Sequence, residues 1–184
     1  YRLSEILPDD CDIVVANSMP VRDVEWFWQA VKGKRRLWGN RGANGIDGTL
    51  STALGVAHAS GSPTFLLTGD LAFLHDANGL LSNNVFHGKL TVVVVNNHGG
   101  GIFENLPIAK LAPFEKCFAT PQDVNIVKLC EAHGITYTKP DDWSTFEDVI
   151  REPFEQGIRV IEVVTDRKAD VVTRQELLSL GPTD

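Results

Sequence analysis

The chain has 184 residues, 43% of them hydrophobic and 22% charged, a composition suited to one globular domain with a substantial core. Its net charge of −7 and pI near 5.2, with Arg and Lys scattered along the chain, argue against nonspecific nucleic-acid binding but leave room for a local basic site that takes a small anion. No apolar run approaches the ~18 residues of a membrane span. Cys11, Cys117 and Cys130 are odd in number and widely spaced, which predicts buried thiols in a reducing compartment rather than disulfides or zinc.

In chain order, residues 1–11 form a lead-in with a Pro8-Asp9-Asp10 turn, the end of a linker or a short helix, and residues 12–184 form the domain proper. The start at Tyr1, with neither initiator methionine nor targeting segment, suggests a portion of something longer. Residues 12–16 read as a short buried strand. Asn17 or Ser18 is placed to cap the following helix, whose apolar stripe is Val21, Val24, Trp28 and Val31. Ser18 and Arg22 have two readings, a helix cap with a solvated arginine or an anion site at a helix N-terminus. Residues 35–38 predict a second strand, and residues 39–48 a loop with four glycines around Arg41, whose planar fork suits a carboxylate if the loop is more than a connection.

Residues 49–59 carry Leu50, Ala53, Leu54 and Ala57 at helical spacing. A strand after Pro63 ends in Gly69-Asp70, and residues 76–86 read as a helix with Leu80, Leu81 and Val85 inward. Residues 90–95 are continuously apolar around one threonine, the pattern of a parallel strand buried on both faces. The strand ends in Asn96-Asn97 before Gly99-Gly100-Gly101. Residues 102–120 lack periodicity and predict a binding loop, in which Phe103 and Leu106 either meet a ligand or anchor the loop. His75 and His87 lack partners at metal spacing. Helices over 123–132, 145–156 and 170–180, with strands over 135–138 and 158–164, complete the chain. The alternation predicts a three-layer, doubly wound α/β domain with a mostly parallel sheet of about five or six strands.

In such a sheet the carboxyl ends of the strands share one edge, so Asp70 and Asn97 are expected together there. Mg²⁺ takes oxygen ligands in a near-octahedral shell, commonly one or two carboxylates with phosphates and water. Asp70, the Asn97 amide oxygen and the Gly99 carbonyl supply three such oxygens, and successive N–H groups of the glycine run are expected to face a phosphate. The same residues also favour ordinary strand-to-loop turns, and spacing does not choose between the readings.

Resemblance adds a direction. Gly69-Asp70-Leu71, separated by 26 residues between Asp70 and Asn97, resembles the thiamine-diphosphate signature, with Leu71 in place of a third glycine. The strings NRGANGIDG (40–48), GDLAFLHDANGL (69–80) and NNHGGGIF (96–103) resemble the SEPHCHC synthase (MenD) family of menaquinone and phylloquinone biosynthesis over nearly the whole chain. The resemblance implies thiamine diphosphate with Mg²⁺ or Mn²⁺ as cofactors and Asp70, Asn97 and Gly99 as metal ligands. It also implies cofactor contacts from Ser18, Ile46, Gly69, Asp70, Leu71, Ala72, Asn97, Gly99, Gly101 and Ile102. Ile46 would brace the bent cofactor, unless it merely packs its loop. Arg22, Arg41, Phe103 and Leu106 are implied substrate contacts, for 2-oxoglutarate and isochorismate. The activating glutamate is implied to lie on a separate N-terminal pyrimidine-binding domain, within a homo-oligomer, leaving this chain a half-site that is inactive alone. The implied address is cytoplasmic for a bacterial protein and the chloroplast for a plant one. The competing readings are another thiamine-diphosphate 2-oxoacid decarboxylase or carboligase, and a non-catalytic remnant of the fold.

Overall fold

The computed structural model describes residues 1–29 and 33–181. Val31, assigned above to the first helix's stripe, lies outside the described residues. Six strands build one sheet: β1 (Asp12–Val15), β2 (Arg36–Trp38), β3 (Thr64–Gly69), β4 (Lys89–Asn96), β5 (Thr136–Thr138) and β6 (Gly157–Val164), in the order β2-β1-β3-β4-β6-β5. Every pairing is parallel, so the sheet is more uniform than the mostly parallel one expected. Each connection is a crossover rather than a hairpin, which parallel pairing requires.

The sheet's two faces have separate cores. Val14, Leu66, Val92, Val94 and Val160 face helices α3 (Thr49–Ser60), α4 (Asp70–His75) and α5 (Ile126–Ala132), through Leu50, Ala53, Phe73 and Cys130 among others. Ile13, Val15, Phe65, Val93 and Ile161 face α1 (Arg2–Ile6), α2 (Met19–Phe27) and α6 (Trp143–Arg151), through Leu3, Ile6, Phe146 and Ile150. The strict alternation along β4 explains why its sequence is apolar throughout: both of its faces are covered. The lead-in is a short helix whose Leu3, Ile6 and Leu7 belong to the second core. Helix α7 (Arg167–Ser179) closes the chain, capped by Asp166, which accepts from the N–H groups of Lys168 and Ala169 at 3.0 and 2.8 Å.

Several local expectations change. Residues 76–86 do not continue as an α-helix. Asp76 turns across to accept from the backbone N–H and hydroxyl of Ser51 on α3 at 2.7 and 3.0 Å, and a 3₁₀ segment (Ala77–Val85) follows. Only Leu80 points inward. Leu81 and Val85 are each 70% exposed, because a run containing Asn78, Gly79, Asn83 and Asn84 has too little helix propensity to hold their face against the sheet. Helix α6 starts earlier than expected, where Asp142 caps Thr145 at 2.7 Å, and stops at Arg151 ahead of Pro153. Cys11 and Cys130 are buried as expected, whereas Cys117 is exposed on the long loop. Among the described residues no helix is long and apolar enough to cross a membrane.

The topology has one consequence for ligands. From β1 the chain moves outward to β2, then crosses back to β3 on the other side of β1, and α2 and α4 leave the adjacent carboxyl ends of β1 and β3 on opposite faces. That divergence opens a crevice at the switch point.

Candidate functional site

A cavity of about 470 Å³ occupies the crevice. Its walls come from the segments that follow β1 (Asn17, Ser18), β2 (Arg41, Ile46), β3 (Gly69, Asp70, Leu71, Ala72) and β4 (Asn97, Gly99, Gly101, Ile102, Phe103). The register explains the convergence: Gly69 pairs with Val95 across β3 and β4, so the next residues of both strands emerge side by side at the same edge. Asp70 and Asn97 are both buried there. The Gly99 N–H donates to Asp70 Oδ2 at 2.7 Å, tying the two strand ends together. Burial pushes the Asp70 carboxyl above the ordinary carboxylate range, and N–H groups of Leu71 and Gly99 draw it part of the way back. A cation placed against it would reverse the balance in favour of the charged form.

Of the residues singled out above, Ser18, Arg22, Arg41, Ile46, Gly69, Asp70, Leu71, Ala72, Asn97, Gly99, Gly101, Ile102 and Phe103 all line this one cavity. Leu106 does not. It lies beyond the 3₁₀ segment Gly101–Asn105 in an extended conformation, 47% exposed, because that segment turns its end toward solvent. Phe103 also packs edge-to-face with Phe118 at 5.7 Å between ring centroids, so it serves wall and anchor together.

The glycine run behaves differently from the expectation of an N–H cradle. The Gly99 N–H is taken by Asp70, the Gly100 N–H by the Ala119 carbonyl at 2.7 Å, and the Gly101 N–H by the Gly99 carbonyl at 2.9 Å. The glycines are there for closeness. A Cβ on Gly99, whose φ is +123°, would meet the Ala119 carbonyl oxygen at 2.1 Å, and one on Gly101 would meet the Asn97 amide at 2.7 Å. A carbonyl oxygen has a second lone pair, so the Gly99 oxygen can still serve a metal.

Asn17 and Ser18 also differ from their predicted roles. Ser18 occupies the cap position with φ 73° but its side chain makes no capping bond, which turns its hydroxyl over to the cavity. The Asn17 side chain reaches away from the helix into the glycine loop. It donates to the carbonyls of Asn40 at 3.0 Å, Ala43 at 3.2 Å and Gly45 at 2.5 Å, and accepts from Arg41 Nη1 at 2.6 Å. Arg22 Nη1 donates to the Ser18 carbonyl at 2.6 Å. Both arginines therefore have one edge tied down and stand at the cavity wall.

Sequence reasoning did not find Asp23 and Arg174, which also line the cavity and form a two-bond ion pair at 2.6 and 2.8 Å. They are 151 residues apart, beyond any local signal. Asn17 was legible as a polar residue at a strand end, but nothing in the sequence says which loop it holds.

The donor set fits a small hard cation with phosphate oxygens: one carboxylate, one amide and one backbone carbonyl at the same edge. Among the described residues there is no cluster of three or more His, Cys, Asp or Glu that would make a dedicated protein cage. Mg²⁺ is typically held in this way, with its remaining ligands from substrate phosphate and water. The open space above Gly69, where a Cβ would meet nothing within 4 Å, leaves the approach clear.

Comparison with known proteins agrees with this geometry. The profile of the thiamine pyrophosphate enzyme C-terminal TPP-binding domain matches residues 23–163. The chain is 55% identical over 171 residues to a 2-succinyl-5-enolpyruvyl-6-hydroxy-3-cyclohexene-1-carboxylate synthase of Gloeothece citriformis, covering 92% of this chain and 29% of that protein. The protein of the same name from Synechococcus sp. (strain JA-3-3Ab) is 51% identical over 175 residues, covering 95% and 29%. That from Thermosynechococcus vestitus is 52% identical over 180 residues, covering 97% and 32%. The chain thus spans about 30% of the length of these relatives. With strand-end oxygens, a switch-point cavity and the matching profile in agreement, the chain belongs to the thiamine pyrophosphate enzyme C-terminal TPP-binding domain family.

Proposed function

We propose that this chain is the diphosphate- and Mg²⁺-binding part of a 2-succinyl-5-enolpyruvyl-6-hydroxy-3-cyclohexene-1-carboxylate synthase, which decarboxylates 2-oxoglutarate and adds the succinyl unit to isochorismate in menaquinone or phylloquinone biosynthesis. The observation that carries the reading is a single cavity with Asp70, Asn97 and Gly99 in its wall together with two partly tethered arginines, Arg22 and Arg41. In this reading Asp70 Oδ, Asn97 Oδ1 and the Gly99 carbonyl hold the metal, and the Ser18 hydroxyl meets the diphosphate. Bound there, thiamine diphosphate would supply the electron sink on which a 2-oxoacid loses CO₂.

The chain's own residues orient and shield. Ile46, Leu71, Ile102 and Phe103 give the cavity apolar walls, which exclude water and strengthen every charge interaction inside. Arg22 and Arg41 offer guanidinium forks to carboxylates, of which a dicarboxylic donor has a second and pyruvate does not. Among the described residues the carboxylates lining the cavity are Asp23 and Asp70, the first paired with Arg174 and the second assigned to metal. In this reading the activating glutamate comes from a separate pyrimidine-binding domain, within a homo-oligomer, in keeping with the chain's spanning about 30% of its relatives.

The test is donor preference and cofactor binding in the full-length protein. Turnover of 2-oxoglutarate well ahead of pyruvate is expected, as is Mg²⁺-dependent binding of thiamine diphosphate by calorimetry. Asp70→Asn should weaken that binding more than Asn97→Ala, since it removes a charge as well as altering a ligand. Preference for pyruvate would reassign the chain to another 2-oxoacid decarboxylase, and absence of cofactor binding would leave a non-catalytic remnant.

A further inference from the structure

The metal-site turn contains a conformation that needs explaining. His98 has φ 56°, in the left-handed region that a non-glycine residue rarely occupies, and its side chain is exposed. Such a residue persists only where its surroundings over-determine it. Here the peptide unit joining His98 to Gly99 is gripped at both ends. Its N–H, that of Gly99, donates to Asp70, and its carbonyl accepts from Arg167 Nη1 at 2.5 Å. The preceding N–H, that of His98, donates to Asn96 Oδ1 at 3.2 Å.

Arg167 does more than hold that carbonyl. Its Nε donates to Glu104 Oε1 at 2.6 Å, and its Nη2 to both oxygens of Glu115 at 2.6 Å. Glu104 belongs to the segment that carries Ile102 and Phe103 into the cavity. Glu115 opens the π turn Glu115–Ala119, whose last carbonyl receives the Gly100 N–H. The guanidinium therefore joins the turn carrying Asn97 and Gly99, the adjoining cavity wall and the loop beneath the glycines. Its side chain is only 10% exposed, and the Asp166 cap fixes the first turn of α7 from which it projects. Burial works against the charge, and the two glutamates more than restore it.

We infer that Arg167 is a positioning residue for the metal site, holding the His98–Gly99 peptide plane so that the Gly99 carbonyl and the Asn97 side chain stay aimed at the cation. The inference rests on the reading of Asp70, Asn97 and Gly99 as metal ligands. Three partners in three directions match the planar fork of arginine, and a lysine ammonium at the end of its flexible stem cannot reproduce them. Without the bond to its carbonyl, the His98–Gly99 peptide is free to relax toward an ordinary φ, which swings the Gly99 N–H off Asp70 and turns the carbonyl that follows.

The experiment compares the full-length protein with its Arg167→Lys and Glu115→Gln variants by amide hydrogen exchange, without added metal or cofactor, and then by Mg²⁺ titration at fixed thiamine diphosphate. For Arg167→Lys, exchange at Gly99 and Gly100 should accelerate about tenfold or more while the amides of Val92, Val93 and Val94 are unchanged, the signature of local rather than global opening. The Mg²⁺ concentration for half-saturation should rise by about tenfold. Glu115→Gln keeps the bond to His98 and should show a smaller change in both. Exchange that accelerates equally in β4 and in the turn would make Arg167 a general stabiliser, and unchanged exchange would remove the clamp altogether; either overturns the proposal. If the unsubstituted protein binds no Mg²⁺ with thiamine diphosphate, the metal-site reading fails, and with it the role toward a cation, while the exchange measurement still reports whether Arg167 holds the turn.

Discussion

Two glycine-rich turns line the same cavity, and they use glycine for different ends. In residues 96–101 the backbone is wedged: a Cβ on Gly99 or Gly100 would strike the carbonyls of Ala119 or Phe118 at 2.1 and 2.5 Å, and the N–H groups of all three glycines are satisfied within the protein. In residues 39–48 no backbone is struck: a Cβ on Gly42 or Gly48 would meet nothing within 4 Å, and one on Gly45 would meet the movable Asp47 carboxylate at 2.0 Å. That loop hangs largely from the Asn17 side chain, through three carbonyls, with Asn40 paired to Thr52 of α3 at its near end and the Gly48 carbonyl held by Thr52 at its far end. Preorganised groups cost no reorganisation when a ligand arrives. In the proposed reading the turn assigned to the metal is therefore built rigid, while the arginine turn, held by side-chain hydrogen bonds rather than by backbone contact, is left to adjust to the acid.

The largest effect should come from putting a side chain into the wedge. Gly99→Ala adds a backbone clash to a left-handed φ, and strain of this kind alone is worth about 1–3 kcal/mol. Cofactor binding with Mg²⁺ should be lost and the thermal unfolding midpoint should fall by about 2–4 °C per kcal/mol lost. Gly42→Ala, at a position with open space and no positive φ, should change neither. Similar losses in the two variants, read by thermal unfolding and calorimetry, would erase the distinction between the turns.

The same contrast sets what sequence could reveal. The strands and the Asp70–Asn97 edge were legible because continuous apolar runs ending in Gly-Asp and Asn-Asn are local patterns with a physical cause. The helix expected over residues 76–86 lies instead at Asp70–His75, since Asp76 bonds to Ser51 on another helix and a 3₁₀ segment follows. The glycine run was legible as a close approach, yet its N–H groups turned out to be engaged, because two of the three partners, Asp70 and Ala119, come from elsewhere in the chain. Arg167 and Arg174 carried no local signal at all. Their partners lie 69 residues away at His98 and 151 at Asp23, and only the closed sheet brings them together.

An intermediate effect is expected at the suspension point. Asn17→Ala removes every tether between that side chain and the glycine loop. The two amide N–H groups are shared among the three carbonyls, so at about 0.5–1.5 kcal/mol net for each N–H a total near 1–3 kcal/mol is expected from the donated bonds. The loss should fall unevenly, with KM for the 2-oxoacid rising further than the dissociation constant of thiamine diphosphate. Equal changes in steady-state kinetics and in cofactor titration would show that residues 39–48 are as much a part of the rigid side as residues 96–101.

The smallest effect should come from Arg41→Lys, and it is the one that separates suspension from recognition. Arg41 shares the Asn17 tether through Nη1 at 2.6 Å but is itself exposed, so lysine can keep one bond to Asn17 Oδ1 and hold the loop in place. What lysine cannot keep is a second, parallel N–H for a carboxylate. A charged hydrogen bond is worth about 1.5–3 kcal/mol where it is shielded, and exposure to solvent brings this toward 1 kcal/mol or less. KM for 2-oxoglutarate should therefore rise several-fold with pyruvate turnover and cofactor affinity unchanged. Were cofactor affinity to fall while the donor's KM stayed constant, Arg41 would belong to the diphosphate, and the adjustable turn would be reading the cofactor rather than the acid.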